Sequence, residues 1–210
     1  MYNWESLEAF FSSLNSNVKY AVLRNFEDLS LEISSSLHPD IDLLCEDAKE
    51  LIEAARSEHR GKKSRHPAHQ KIMIRNKVIA VDVRSTGDGY YDARWEKAML
   101  DTRILRDGMY VLENREYFYS LLYHVLIQKA EVSEEYFNRL IKMAEDCVIS
   151  VDKNSFLPCL ESYMRENGYY YTYPASCATN FFVDKVDNSL IEKNPYKYMK
   201  RKIWKQIYGK

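Results

Sequence analysis

Residues 78–84 read VIAVDVR, an apolar alternation with one carboxylate, Asp82, set inside it. Side chains alternate along a strand, so Ile79, Val81 and Val83 make a face suited to a core. Val78, Ala80, Asp82 and Arg84 make the opposite face. A carboxylate in such a strand is costly to bury alone, so this position demands a partner and restricts what can pack beside it. In HPDIDLL, Asp40 and Asp42 stand two residues apart on a second predicted strand, 40–45. Both project to one face, roughly 7 Å apart along the backbone. A metal ion shared with Asp40 and Asp42 would supply the partner that Asp82 needs.

Magnesium suits that role. It prefers hard oxygen ligands and keeps some waters, so a few carboxylates and substrate phosphates complete its shell. Two such ions, about 3.5–4 Å apart, can clamp the attacking and leaving oxygens of an in-line phosphoryl displacement. Neighbouring strands hold carboxylates more rigidly than loops do. A single DxD beside a proline turn is common and says little alone. The third Asp, following a helix and a hairpin turn, carries the weight.

The remaining chain sorts into elements around these two strands. Asn3 is placed to cap a first helix to about residue 14, with Trp4, Leu7, Phe10, Phe11 and Leu14 on one stripe. Residues 19–23 (KYAVL) predict a short strand, 28–37 are ambiguous with a short helix, and 47–58 predict a helix. Residues 71–74 and 78–84 predict a hairpin turning at 75–77. Residues 91–105 begin helically, and 116–129, 133–149 and 154–167 predict consecutive helices. Pro195 opens a last helix over 195–208. The chain is therefore expected to be α/β: a small mixed sheet with flanking helices over 1–110, then a helical half over 111–210.

Composition narrows the partners. Formal net charge is −1, so nothing pulls the chain globally toward nucleic acid. Between Arg56 and Lys71, six Lys/Arg face one Glu, and 193–210 holds seven Lys/Arg and no acid. Basic patches beside an acidic site favour a phosphorylated ligand. Within GKKSRHPAH (61–69), Lys62, Lys63, Arg65 and His66 are candidates to close over a polyphosphate, with a solvated loop as the alternative. Lys129, ending the apolar helix YFYSLLYHVLIQK, is a further phosphate candidate, although a lysine there also favours the helix dipole. His124 in that helix reads as a core histidine. The aromatics of GYYDARW (89–95) can stack on a ligand, but packing is the commoner role. Four cysteines without metal spacing read as reduced packing residues. No signal peptide or spanning segment is expected, which points to the cytoplasm. The last helix is basic and amphipathic, and can lie on an anionic membrane at its inner face or dock on its own core.

The series YAVLRNF, HPDIDLL and VIAVDVR resembles the DNA polymerase beta-like nucleotidyltransferase superfamily over residues 19–84. The resemblance is nearest to bacterial members with a DIDLL strand, many of them from surface-polysaccharide gene clusters. It implies that Asp40 and Asp42 hold a nucleotide-side Mg2+ (or Mn2+). Asp82 would complete a second metal site and help activate the acceptor. The donor would be a nucleoside triphosphate or a CDP-linked alcohol, and the acceptor a small or lipid-linked sugar, alcohol or phosphate. One departure stands out: where the family turns on small residues after the first strand, this chain has Arg24 and Asn25, with Arg24 a charged fork for phosphate. The competing class is a non-catalytic, antitoxin-type module of the same fold acting on a protein partner. A DxD glycosyltransferase ranks last, because only about 40 residues precede the motif.

Overall fold

The computed structural model describes every residue except 28, 36–38, 62–67, 130, 131, 153, 178, 209 and 210, and for 31, 32 and 34 the backbone alone. Lys62, Lys63, Arg65 and His66 thus lie outside the described residues. The chain is mixed α/β and divides into two units: Met1–Thr86 with Glu96–Glu113, and Gly87–Trp95 with Asn114–Lys210.

The first unit carries a mixed sheet. Its strands are β1 (Asn3–Trp4), β2 (Tyr20–Val22), β3 (Asp40–Cys45), β4 (Glu58–His59), β5 (His69–Ile74), β6 (Lys77–Ser85), β7 (Ile104–Arg106) and β8 (Met109–Val111). They neighbour one another in the order β1-β5-β6-β3-β2-β8-β7, with β4 also on β5. β3 and β6 are parallel, and β2 runs antiparallel to β3. Helices α1 (Leu7–Asn17), α2 (Leu29–Ser35) and α3 (Ala48–Ala54) separate the early strands, and α4 (Ala93–Asp101) lies between β6 and β7 in the chain.

Alternation divides the sheet's faces. Ile41, Leu43, Ile72, Ile79, Val81 and Val83 are buried, and register places them on one face with Tyr20 and Val22. The α1 residues Phe10, Phe11 and Leu14 and the α3 residue Leu51 are buried with them. Phe11 stacks on Tyr20 at 6.1 Å, and the Ser13 hydroxyl ties α1 to α3 by donating to the Ala54 carbonyl. Asp40, Asp42 and Asp82 occupy the other face.

Three local details differ from the expectation. Asn3 is not a helix cap: it pairs with Met73 as part of β1, and its side chain exchanges hydrogen bonds with Asn76. An available partner at the β5 edge keeps Asn3–Trp4 extended, and the helix starts later, where the Ser6 hydroxyl accepts from Ala9 N at 3.1 Å. The α3 helix stops at Ala54, and Glu58–His59 form a strand instead. Beyond α4 the chain makes the hairpin β7–β8, whose two-residue loop, Asp107 and Gly108, has φ of 48° and 81°. The predicted hairpin β5–β6 turns the same way, with φ of 48° at Arg75 and 66° at Asn76, as a type I′ turn requires.

The second unit is helical. It holds α5 (Asn114–Tyr123), a π-helical turn (His124–Gln128), α6 (Glu134–Asp146), α7 (Phe156–Asn167) and α8 (Pro195–Tyr208). Its core is aromatic. Trp95 stacks on Tyr169 at 5.6 Å and donates from Nε1 to Glu116 Oε2 at 2.6 Å, while the Tyr163 hydroxyl donates to the same carboxylate. Tyr90 and Tyr91 are buried in this cluster, so the aromatics of 89–95 serve packing. His124, half-buried, lies 2.8 Å through Nδ1 from Gln128 Oε1. All four cysteines are thiols. Among the described residues, no helix is long and apolar enough to cross a membrane.

The α6 and α7 helices end in the same motif with different residues. At α7, Tyr169 N donates to Met164 O and Gly168 N to Arg165 O, with Gly168 at φ 68°. At α6, Ile149 N donates to Ala144 O and Val148 N to Glu145 O, but the left-handed residue is Val148, at φ 57° and 94% exposed. A β-branched side chain is strained there and packs against little. Val148→Gly is therefore expected to stabilise the chain by about 1 kcal/mol, read as a higher midpoint in urea unfolding with an unchanged slope.

Candidate functional site

Cross-strand register assembles the site. Asp42 pairs with Asp82 across β3 and β6, and Asp82 pairs with His69 across β6 and β5. Arg60 extends the β4 pairing, its N–H donating to His69 O at 2.9 Å. Arg60, His69, Asp82 and Asp42 therefore form a row across neighbouring segments about 4.8 Å apart, on the face opposite the core. Asp40 lies two residues before Asp42, on the same face of β3.

Cations hold this row. Arg60 Nη2 lies 2.6 Å from Asp82 Oδ1, and His69 Nδ1 lies 3.2 Å from the same oxygen. His69 Nδ1 is also 3.1 Å from Arg60 Nη2, so it either accepts from the arginine or donates to the aspartate, according to where the ring carries its proton. On the other flank, Arg24 Nε donates to Asp42 Oδ2 at 2.7 Å, with both side chains almost wholly buried. Leu23 N donates to Asp42 O at 2.9 Å, which brings the end of β2 alongside β3 and delivers Arg24 to the carboxylate. Asn25 follows at φ 58°, a conformation that Asn tolerates, and turns the chain away.

Asp40 reports the electrostatics. Its carboxyl is held above the usual carboxylate range, first by desolvation and then by repulsion from Asp42 and Asp82. Arg24 and Arg60 offset part of that effect. Three carboxylates and two arginines thus act on one another across rigid strands.

This donor set fits magnesium by chemistry, since it offers hard oxygens with excess negative charge. It is not a closed cage: among the described residues, no group of three or more His, Cys, Asp or Glu is arranged to hold a metal ion. Asp42 and Asp82 are engaged by arginines instead.

Sequence reasoning missed Arg60 and His69. The hairpin held the signal: counting back from the turn at Arg75 and Asn76 sets His69 opposite Asp82. Lys129, the remaining candidate, lies in the second unit, where its Nζ donates to the Tyr136 hydroxyl at 2.8 Å. The second unit also has a cavity of about 530 Å3 lined by Asp92, Arg94, Tyr170, Glu192, Lys193 and Lys197. Its charges largely pair with one another, as Asp92 with Arg94 and Glu192 with Lys197.

Two stability effects follow from the carboxylate row. Arg24→Ala leaves Asp42 buried with its charge exposed to low dielectric, which costs about 3 kcal/mol. The double substitution Arg24→Ala/Asp42→Ala should recover much of that loss in chemical denaturation. The raised Asp40 carboxyl means that the folded chain binds this proton more tightly than the unfolded chain does. The stabilisation is complete below the unfolded value of about 4 and is lost as pH rises through the higher folded value. Asp40→Asn should therefore raise the melting temperature at pH 7, with the gain vanishing as pH falls below about 4.

Comparisons of the chain with protein-family models, with curated proteins and with solved structures find no match in any of the three.

Proposed function

We propose that the carboxylate row is a magnesium-dependent site that transfers a nucleotidyl or substituted phosphoryl group. The donor is a nucleoside triphosphate or a CDP-linked alcohol, and the acceptor a sugar, alcohol or phosphate. The observation that carries this reading is the pairing of Asp42 with Asp82 on adjacent parallel strands, with Asp40 on the same face and repelled by both. That excess charge is a stability cost, of the kind retained where function requires it. The resemblance of residues 19–84 to DNA polymerase beta-like nucleotidyltransferases supports the same chemistry, and the setting in surface-polysaccharide assembly rests on that resemblance alone.

Magnesium bound at the carboxylates supplies charge neutralisation on the transferring group and its leaving oxygen. The chain's own residues do the rest. Arg24 and Arg60 exchange Asp42 and Asp82 for phosphate oxygens, which a guanidinium grips as a fork. Asp82 and His69 together accept the proton of the attacking hydroxyl as its oxygen bonds to phosphorus. Pyrophosphate or CMP leaves with the electrons of the broken P–O bond.

One observation favours a second reading. With Asp42 and Asp82 each paired to an arginine, the row is also stable as a charge-balanced surface of a non-catalytic, antitoxin-type module. Calorimetric titration separates the two, using nucleoside triphosphates and CDP-alcohols with magnesium and with EDTA. The enzyme reading expects magnesium-dependent binding that falls at least tenfold in Asp42→Asn and Asp82→Asn. A folded wild-type chain that binds no nucleotide under any condition favours the partner-binding module.

A further inference from the structure

Helix α8 docks with the wrong side for a helix seeking its own core. Arg201 is its buried residue: it donates to the Thr179 carbonyl, and its guanidinium lies 5.5 Å from the Phe181 ring centroid. Its Nε and Nη1 have no hydrogen-bond partner among the described residues. The apolar residues face outward instead. Tyr196, Met199, Ile203 and Ile207 recur at spacings of three and four, so they form one stripe on the side opposite Arg201. They are 77%, 52%, 49% and 66% exposed.

Charge accompanies the stripe. The helix carries Lys197, Lys200, Arg201, Lys202 and Lys205 and no acidic residue. Trp204 and Tyr208, three and seven residues after Arg201, lie on its side of the helix with ring centroids 5.1 Å apart, leaving the outward face to the stripe. An outward apolar stripe flanked by lysines is how a helix lies in an interface, since lysine stems pack along lipid while their ammonium groups stay in water.

We propose that α8 is an in-plane anchor that lays its Tyr196, Met199, Ile203 and Ile207 stripe into an anionic lipid surface. Its 14 residues span about 21 Å, too short to cross a bilayer and long enough to lie in one. Charge decides the occupant. A second copy meeting this face would set Lys200 and Lys202, which flank the stripe, against the same lysines with no acid on the helix to offset them, whereas anionic headgroups attract both. The inference goes beyond the phosphoryl-transfer reading and does not depend on it.

Vesicle flotation of the full chain tests it. Vesicles of phosphatidylcholine with phosphatidylglycerol should carry the protein upward, pure phosphatidylcholine vesicles should carry at least tenfold less, and salt should weaken the binding. Ile203→Asp/Ile207→Asp and, separately, Lys200→Glu/Lys202→Glu should each reduce binding at least tenfold. These side chains are exposed, so helical circular dichroism should remain that of the wild type. Absence of wild-type flotation on anionic vesicles overturns the proposal, as does flotation that survives the Ile203→Asp/Ile207→Asp change. A concentration-dependent dimer abolished by the same change, with no vesicle binding, assigns the stripe to a second copy. Binding only to an acidic protein assigns it to a protein partner.

Discussion

Parallel pairing of β3 with β6 is the constraint on which the site depends. Once Asp42 stands beside Asp82, two carboxylates rise from strands about 4.8 Å apart, whose backbone hydrogen bonds cannot relax independently. Arg24, delivered by the end of β2, and Arg60, delivered beyond β4, relieve part of that repulsion. Asp40 sits beside them with its carboxyl raised, first by burial and then by repulsion from Asp42 and Asp82. The opposite face of the same strands carries Ile41, Leu43, Val81 and Val83, whose burial holds the register. A slip of one residue would drive the carboxylates into the core, so the core and the site specify the same pairing.

This arrangement gives Arg24, just beyond the end of β2, its role. A buried aspartate without a counter-charge costs several kcal/mol, and Arg24 supplies the counter-charge to Asp42. Guanidinium binds carboxylate and phosphate with similar geometry. The group that stabilises the resting fold is thus also suited to the ligand that the proposal assigns. The second unit is built on an aromatic core tied together by Glu116, and its helix α8 turns an apolar stripe outward.

Much of this was legible in the chain. The alternation of VIAVDVR and DIDLL placed Asp40, Asp42 and Asp82 on the face opposite Ile41, Val81 and Val83 because period-2 patterning decides faces locally. Arg60 and His69 were harder, since their positions follow from hairpin register and from a two-residue strand that no composition marks. Asn3 misled because a good cap residue beside an open sheet edge has two competing uses, and the edge won. The β7–β8 hairpin was announced by Asp107-Gly108, but a helical start at α4 obscured it. Which side of α8 docks depends on tertiary contacts with Thr179 and Phe181, which the helix's own pattern does not encode.

Manganese uptake followed by electron paramagnetic resonance tests the central claim most directly, because Mn2+ accepts the same oxygen ligands as magnesium and loses its solution signal on binding. The account predicts weak uptake by the chain alone and strong uptake once a nucleoside triphosphate or CDP-alcohol is added, with the gain lost in Asp82→Asn. Equal uptake by wild type and Asp82→Asn in the presence of nucleotide, or no uptake with any nucleotide, would contradict it.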